Sequence, residues 1–313
     1  MILCVCPNPS IDKLVFIRTF KRGATNRVFE EKSYPGGKGV HVAMGIKEMG
    51  EEVALLAFWG GASGKWIKEQ CEEKGIACYG PTLDEWTRTC LTIKTYDEFD
   101  ETEILGAGPK IDSTSYKTFV DDYKKLLKSA SLVSMSGSWP MNDENYNFSN
   151  LISIAEEHEK KSIIDCSGAS LTNALVKNPF GIHINHNEGY EIYNTHDPFA
   201  LFSKLGEHSK LIAVTLGAKG LYLSDGEKIV HALSKVDTVI STVGCGDSLM
   251  AGLAVAHVKG HNLEDTAKLA ASCGAANCVR EDLGMFYKKD VELLENKCTV
   301  RLLDKNEQVE KKV

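Results

Sequence analysis

The sequence predicts an α/β fold, in which a central, mostly parallel sheet is covered by helices on both faces. Three observations carry this. Short β-branched or apolar runs alternate with helical patterns from the first residues onward. The same rhythm resumes after residue 116, and the last two helical stretches are rich in Ala and Leu, the composition of buried helices.

Taken in order, a strand at 2–6 is followed by a helix at 38–49, a strand at 53–58 and a helix at 65–74. A helix at 116–128, a strand at 132–135, a helix at 145–160 and a strand at 162–165 continue the pattern. Strands at 181–184, 211–215 and 221–224 then lead to helices at 247–259 and 263–279. Two segments, 13–33 and 87–104, lack a 3.6-residue period and read as paired strands with polar turns. They form either a small β flap over one sheet edge or two ordinary surface hairpins. The polar end, 304–313, is expected to fray.

Of the 313 residues, 43% are hydrophobic and 25% charged, which excludes a disordered or collagen-like chain. A net charge of −7, with no Lys/Arg cluster, argues against nucleic acid and anionic membrane as partners. The apolar run 53–59 falls well short of the ~20 residues needed to span a bilayer. No basic leader precedes Pro7-Asn8-Pro9, and none of the ten cysteines falls in a C-x-x-C pair. Reduced thiols and a cytoplasmic location are therefore expected.

The strongest local signal is Ser241-Thr242-Val243-Gly244-Cys245-Gly246-Asp247-Ser248, a glycine-rich turn running into an apolar helix. The first N–H groups of such a helix have no internal acceptor, and the helix dipole adds positive potential, so the turn is suited to a phosphate. Asp247 would repel a bound phosphate; it serves either as a base for the group attacking that phosphate or simply as a helix cap. Pro35-Gly36-Gly37-Lys38-Gly39 precedes a second helix and is neither a G-x-G-x-x-G nor a Walker A loop. Gly60-Gly61-Ala62-Ser63-Gly64-Lys65-Trp66 lacks the spacing and the hydroxyl of a P-loop. Asp12 follows the first strand, where open sheets place ligand contacts, although a turn aspartate suits that position equally. His183 and His186, and His257 and His261, have no third ligand in a zinc frame, and no G-x-S-x-G elbow occurs.

Together these pieces resemble the PfkB-type, ribokinase-like carbohydrate kinases, and most closely their phosphosugar branch of 1-phosphofructokinases and tagatose-6-phosphate kinases. The matching motifs run in order along nearly the whole chain: Pro7-Asn8-Pro9-Ser10-Ile11-Asp12, Pro35-Gly36-Gly37-Lys38-Gly39-Val40, Thr87-Arg88, Ser136-Gly137-Ser138-Trp139-Pro140, Asn185-His186-Asn187-Glu188, Leu216-Gly217-Ala218-Lys219-Gly220 and Val243 to Ser248. The resemblance implies a ribokinase-like three-layer sandwich, with a core of 1–12, 34–86 and 105–313 and a β-strand lid of 13–33 and 87–104. It also implies a homodimer through that lid.

By the same resemblance, Asp247 is the catalytic base, and the backbone of Gly244, Cys245 and Gly246 forms the anion hole for the transferring phosphoryl group. Thr215, Gly217, Gly220, Gly246 and Asn277 border ATP, while Asn185 and Glu188 hold Mg²⁺ through water. Asp12, Gly37, Lys38, His41 and Ser138 face the sugar. Arg88 holds the phosphate already on the substrate, a task suited to a bidentate guanidinium. The implied reaction is ATP-dependent phosphorylation of a ketohexose phosphate, of the fructose 1-phosphate or tagatose 6-phosphate type, to a bisphosphate.

Departures from the branch pattern touch several sugar-facing positions, and His183-Ile184 replaces the Lys-Pro that the branch has before Asn185. His41 stands in an Asn place, Met44 in an Arg place, Cys90 in an Asn place and Leu105 in an Asn place. Such changes alter the hydrogen-bond inventory facing the sugar hydroxyls. They keep two alternatives open: a kinase of an unphosphorylated sugar or nucleoside, and a sugar-phosphate sensor without turnover.

Overall fold

Ile2-Leu3-Cys4-Val5-Cys6 has an apolar or thiol side chain at every position, a pattern that suits a strand covered on both faces. In the computed structural model, which describes residues 1–95 and 101–304, this segment is β1 (Ile2–Cys6), a fully buried interior strand of the main sheet. Parallel neighbours flank it: β4 (Val53–Ala57) and then β6 (Ala77–Tyr79) on one side, and β11 (Leu132–Ser136), β13 (Ser162–Asp165), β14 (Gly181–Asn185) and β15 (Leu211–Thr215) on the other. Three antiparallel strands, β16 (Leu221–Ser224), β17 (Ile229–Leu233) and β18 (Thr299–Leu303), complete ten strands.

The period-two alternation of strands divides the core. Ile2, Cys4 and Cys6 join one apolar cluster with α1 (Lys38–Glu48), α2 (Gly61–Glu73), α8 (Cys245–Val258), α9 (Leu263–Cys278) and α10 (Lys288–Glu295). Leu3 and Val5 join the opposite cluster with α3 (Ser113–Leu127), α4 (Phe148–Glu157), α5 (Gly168–Leu175), α6 (His186–Tyr193) and α7 (Pro198–Leu205). Each fully buried Leu, Ile, Val or Phe contributes roughly 1.5–3 kcal/mol relative to exposure, so both faces stabilise the sheet. This is the three-layer α/β architecture expected from the sequence.

A second sheet, ordered β3-β2-β8-β9, contains β2 (Ser10–Ile17), β3 (Glu30–Gly36), β8 (Arg88–Thr95) and β9 (Glu101–Leu105). Two-residue pairs, β5 (Trp59–Gly60) with β7 (Thr82–Leu83) and β10 (Lys110–Ile111) with β12 (Met141–Asn142), brace the loops. Both segments without helical period thus supply strands, but the boundaries move. β2 begins at Ser10 and β3 ends at Gly36, so Asp12 sits within a strand rather than in a turn. Residues 96–100 of the second expected segment, and 305–313 of the expected frayed end, lie outside the described residues.

Other differences have local causes. The helix expected at 145–160 is trimmed to Phe148–Glu157, because the Asn147 side chain accepts the Ser149 N–H and so sets its start. α2 starts at Gly61, before the apolar period becomes visible. The short helices α5, α6, α7 and α10, and strands β6, β17 and β18, escaped the periodicity reading. For α6 and α7 a usable signal existed: an Asn185/Glu188 capping box, and Asp197 followed by Pro198 at the first turn. Among the described residues, no helix is long and apolar enough to cross a membrane.

Candidate active site

The carboxyl ends of the parallel strands gather the polar residues, as open α/β sheets do. At one side, Gly244 caps α8 with φ +82°, a conformation glycine adopts without steric cost. A Cβ there would run into the backbone of Gly284, so residues 244 and 284 pack backbone to backbone. Ser248 N–H makes an intrahelical bond to Gly244 O at 2.9 Å, leaving Gly246 and Asp247 in the first turn, ahead of any helical acceptor. Asn277, almost wholly buried on α9, donates Nδ2–H to Val243 O at 2.8 Å and braces the loop from behind. Cys245 Sγ lies 3.0 Å from Cys278 Sγ.

Asp247 projects from this turn into a buried cluster with His41 and Asp12. His41 Nδ1 is 2.9 Å from Asp247 Oδ2, and its Nε2 is 3.4 Å from Asp12 Oδ2. Burial raises the Asp247 carboxyl above the ordinary carboxylate range, and the His41 hydrogen bond and Lys38 charge offset only part of that. Asp12 accepts from Ser10 Oγ at 2.6 Å, and a Cβ on Gly36 would overlap its carboxylate. That overlap gives a steric reason for glycine at 36.

A second cluster surrounds Lys38. Its Nζ lies 2.8 Å from Asp165 Oδ1 and 3.9 Å from Glu188 Oε1. Burial by itself would lower the Lys38 ammonium, but the carboxylates of Asp165, Asp247 and Glu188 outweigh it and hold it above the usual lysine range. Burial would likewise raise Asp165, yet Lys38 and His183 hold it well below the ordinary range. His183 links two of the expected positions to Asp165: Nε2 is 3.2 Å from Thr215 Oγ1, Nδ1 is 3.4 Å from Asp165 Oδ2, and a Cβ on Gly246 would lie 3.3 Å from its ring.

Asn185 and Glu188 form a capping box at α6. Asn185 Oδ1 accepts the N–H groups of Asn187 and Glu188, while Glu188 Oε2 accepts that of Asn185. The amide oxygen of Asn185 is therefore committed to the helix. Glu188 Oε1 faces Lys38 and remains available beside it. Among the described residues, no group of three or more His, Cys, Asp or Glu is arranged to hold a metal by itself.

Arg88 opens β8, in register with Ser10, and donates Nη1–H to Gly106 O at 3.1 Å and Nη2–H to Asn8 O at 3.0 Å. Its Nε is buried without a partner. Asn8 Nδ2 in turn donates to Ser138 Oγ at 3.2 Å, and Gly37 folds against Pro9 and Cys6. Gly217 begins a short 3₁₀ turn, and Gly220, at φ +89°, closes it beneath Ala232 O. Of the departures, Cys90 pairs with Asp12 in register, Met44 is buried in the core, and Leu105 is exposed at the end of β9.

Several residues escaped the sequence reading. Glu101 Oε2 accepts the Thr242 N–H at 3.2 Å, and Lys94 Nζ donates to Ile240 O at 3.0 Å, so the small sheet is bonded to the α8 loop. Gly284, at φ +66°, lies between Gly244 and the His41 ring. A cavity of about 340 Å³, lined by Val236, Thr238, Ile240, Val279, Leu293 and Leu294 and by the charged Lys235, Asp237, Asp290 and Lys297, adjoins the same loop. No local motif marks Glu101 or Lys94; the lone glycine at 284 was the one available signal.

A donor-rich helix terminus holding a buried carboxylate, at the carboxyl end of a parallel sheet, has the chemistry that phosphoryl transfer requires. The pfkB family carbohydrate kinase model matches residues 8–286. The chain belongs to this family and is an ATP-dependent sugar kinase. It is 29% identical over 290 residues to the 1-phosphofructokinase of Bacillus subtilis strain 168, covering 91% of this chain and 94% of the relative. It is 31% identical over 293 residues to a tagatose-6-phosphate kinase of Staphylococcus epidermidis, with the same coverage of 91% and 94%. A solved phosphofructokinase candidate from Staphylococcus aureus superposes with a TM-score of 0.80 at 28% identity, covering 97% of this chain and 99% of its own.

Proposed function

We propose that this kinase transfers the γ-phosphoryl group of ATP to a hydroxyl of a ketohexose phosphate, of the fructose 1-phosphate or tagatose 6-phosphate type, giving a bisphosphate. The observation that carries the mechanism is the placement of the Asp247 carboxylate on the same helix turn as the 244–247 backbone donors. Asp247 Oδ2 is taken by His41, which leaves Oδ1 to accept the proton of the attacking hydroxyl. The hydroxyl oxygen forms the new P–O bond as the bond to the bridging oxygen of ADP breaks. The N–H groups of Gly246 and Asp247 meet the charge on the equatorial oxygens, already oriented.

The cavity beside Ile240, with apolar walls and a charged rim, suits the base of the nucleotide, with Thr215, Gly217 and Gly220 along its phosphates and Asn277 holding the loop. Glu188, whose Oε1 the capping box leaves unused, would help to hold Mg²⁺ through its water shell, with Asn185 fixing Glu188. When bound, the ion supplies charge neutralisation at the phosphates. Lys38 adds a positive charge, Asp12 holds sugar hydroxyls, and Asn8 and Ser138 line the entrance.

Arg88 Nε and the second N–H of each terminal nitrogen remain for a substrate phosphate, while its other two N–H groups fix its orientation. His41 and Cys90 in place of amides favour a second reading, a kinase of an unphosphorylated sugar or nucleoside, which Lys38 and the free Arg88 donors oppose. An ADP-release screen with Mg-ATP separates the two: turnover confined to phosphosugars supports the first, turnover confined to free sugars or nucleosides the second. Binding without turnover across the panel would instead indicate a sensor.

The small sheet acts as the substrate lid and as the pairing surface of a homodimer. Phe20, Val28, Phe29, Ile104 and Leu105 on this side are about half exposed or more, an apolar surface suited to a second copy. Sedimentation velocity tests it, and a single protomer mass at every concentration would reject the pairing.

A further inference from the structure

His41 stands between the two carboxylates on which the proposed reaction depends. Its ring is 3% exposed, Nδ1 is within hydrogen-bond distance of Asp247, and Nε2 points to Asp12 but has no hydrogen-bond partner. A neutral imidazole carries one N–H, so one nitrogen would present its lone pair to a carboxylate. Only the imidazolium has a donor for each side. The ring is also fixed in place, because a Cβ on Gly284 would overlap it, and Gly284 packs in turn on Gly244 of the anion-binding turn.

We propose that His41 is a positioning residue that acts as an imidazolium, donating one N–H to Asp247 and directing the other to Asp12 and the sugar hydroxyl bound there. This rests on the phosphoryl-transfer reading above and adds what makes this pocket differ from an amide-lined one. A planar cation couples the base to the sugar anchor, so the hydroxyl held by Asp12 is presented to Asp247 at a set separation. Nε2–H, unpartnered without substrate, then gains an acceptor.

The surrounding charges support the protonated form. Burial opposes it, but the hydrogen bond to Asp247 and the charges of Asp12, Asp247 and Glu103 outweigh burial, and the net shift of His41 is upward. Glu103 faces it from β9. On the 281–285 loop, Glu281 is taken by Lys32 and Asp282 by Arg280, while on its own helix Lys38 is turned to Asp165. Loss of the His41 proton at alkaline pH would set a lone pair against a carboxylate and loosen the alignment.

The experiment measures kcat and both KM values from about pH 6 to about pH 10 for wild type and His41→Asn, with nitrogen NMR of the wild-type imidazole alongside. The wild type should lose kcat roughly tenfold per pH unit above the His41 pKa, with phosphosugar KM rising and ATP KM steady. His41→Asn, which keeps an amide NH₂ as donor but cannot titrate, should lack this alkaline limb. The same limb in His41→Asn, or a neutral imidazole in the wild type at pH about 7, would overturn the proposal. If the variant fails to fold, the NMR titration decides alone. Absence of wild-type turnover on every phosphosugar would count against the substrate reading instead, and NMR would still report the His41 charge.

Discussion

The glycine turn at 241–248, proposed for phosphoryl transfer, and the small sheet of β2, β3, β8 and β9, proposed to face the sugar, meet through His41 between Asp247 and Asp12, yet they are built differently. The turn works through backbone: glycines at 244 and 246, N–H groups at a helix start, and an Asn277 brace. The sheet works through side chains projected from several strands, including Asp12, Arg88, Cys90 and Glu103. A backbone-built site tolerates little change without losing its geometry, whereas a side-chain-built one can exchange donors and acceptors and select another substrate. Of the departures from the family pattern, His41 and Cys90 lie beside Asp12, Met44 is in the core, Leu105 is exposed at the end of β9, and 243–248 is intact.

Breaking the turn should have the largest effect. Asp247→Asn should lower kcat by about 10²–10⁴-fold while calorimetry still detects nucleotide binding. Near-normal turnover would remove Asp247 from the role of base. In the wild type the upward shift of this carboxyl gives a signed pH effect. Asp247 gains its proton at a higher pH than an ordinary carboxylate, so activity should fall as pH drops through that raised value. An acid limb confined to the ordinary carboxylate range would contradict the burial argument.

Gly284→Ala should come next, because φ is +66° and the new Cβ meets the His41 ring on a packed backbone. Strain of about 1–3 kcal/mol should lower Tm, and kcat should fall roughly tenfold or more. Gly23→Ala is the control: its φ is +73° but no atom lies near, so it should cost only about 1 kcal/mol and leave kcat unchanged. Equal effects of the two would reduce Gly284 to a conformational requirement without a role in the site.

Changes on the sugar side should move KM more than kcat. Arg88→Ala should raise the phosphosugar KM roughly tenfold or more and leave ATP KM within about twofold, read from paired saturation curves. Parallel rises in both would show that Arg88 supports the loops at Asn8 and Gly106 rather than a substrate phosphate. The smallest effect is expected from Cys90→Asn, which sits beside Asp12 in register. It should shift phosphosugar KM by about two- to fivefold and shift preference among ketohexose phosphates. No change in either would place the specificity on His41 alone.

How much was legible follows the same division. Residues 243–248 could be read as a motif because a glycine turn, a helix start and an acid are adjacent in the chain and impose one local geometry. The Asn185/Glu188 pair was legible as a motif, but its capping box also explains it as local structure, with one carboxylate oxygen to spare. His41 could be recognised only as a substitution. That it reaches a carboxylate 206 residues away, with Asp12 on its other side, no spacing in the sequence discloses.

The sequence by itself determined the strand and helix alternation, the apolar faces that divide the core in two, and the helix terminus suited to phosphate, because each depends on neighbours within a turn or two of chain. Only the tertiary structure decided which charges share a pocket. It joined Lys38 to Asp165, laid Gly284 between Gly244 and His41, and bonded β9 to the α8 loop through Glu101. Those contacts form where distant strand ends converge at the carboxyl edge of one sheet. Their energies depend on burial and on the sum of surrounding charges, which arise only when the chain is folded.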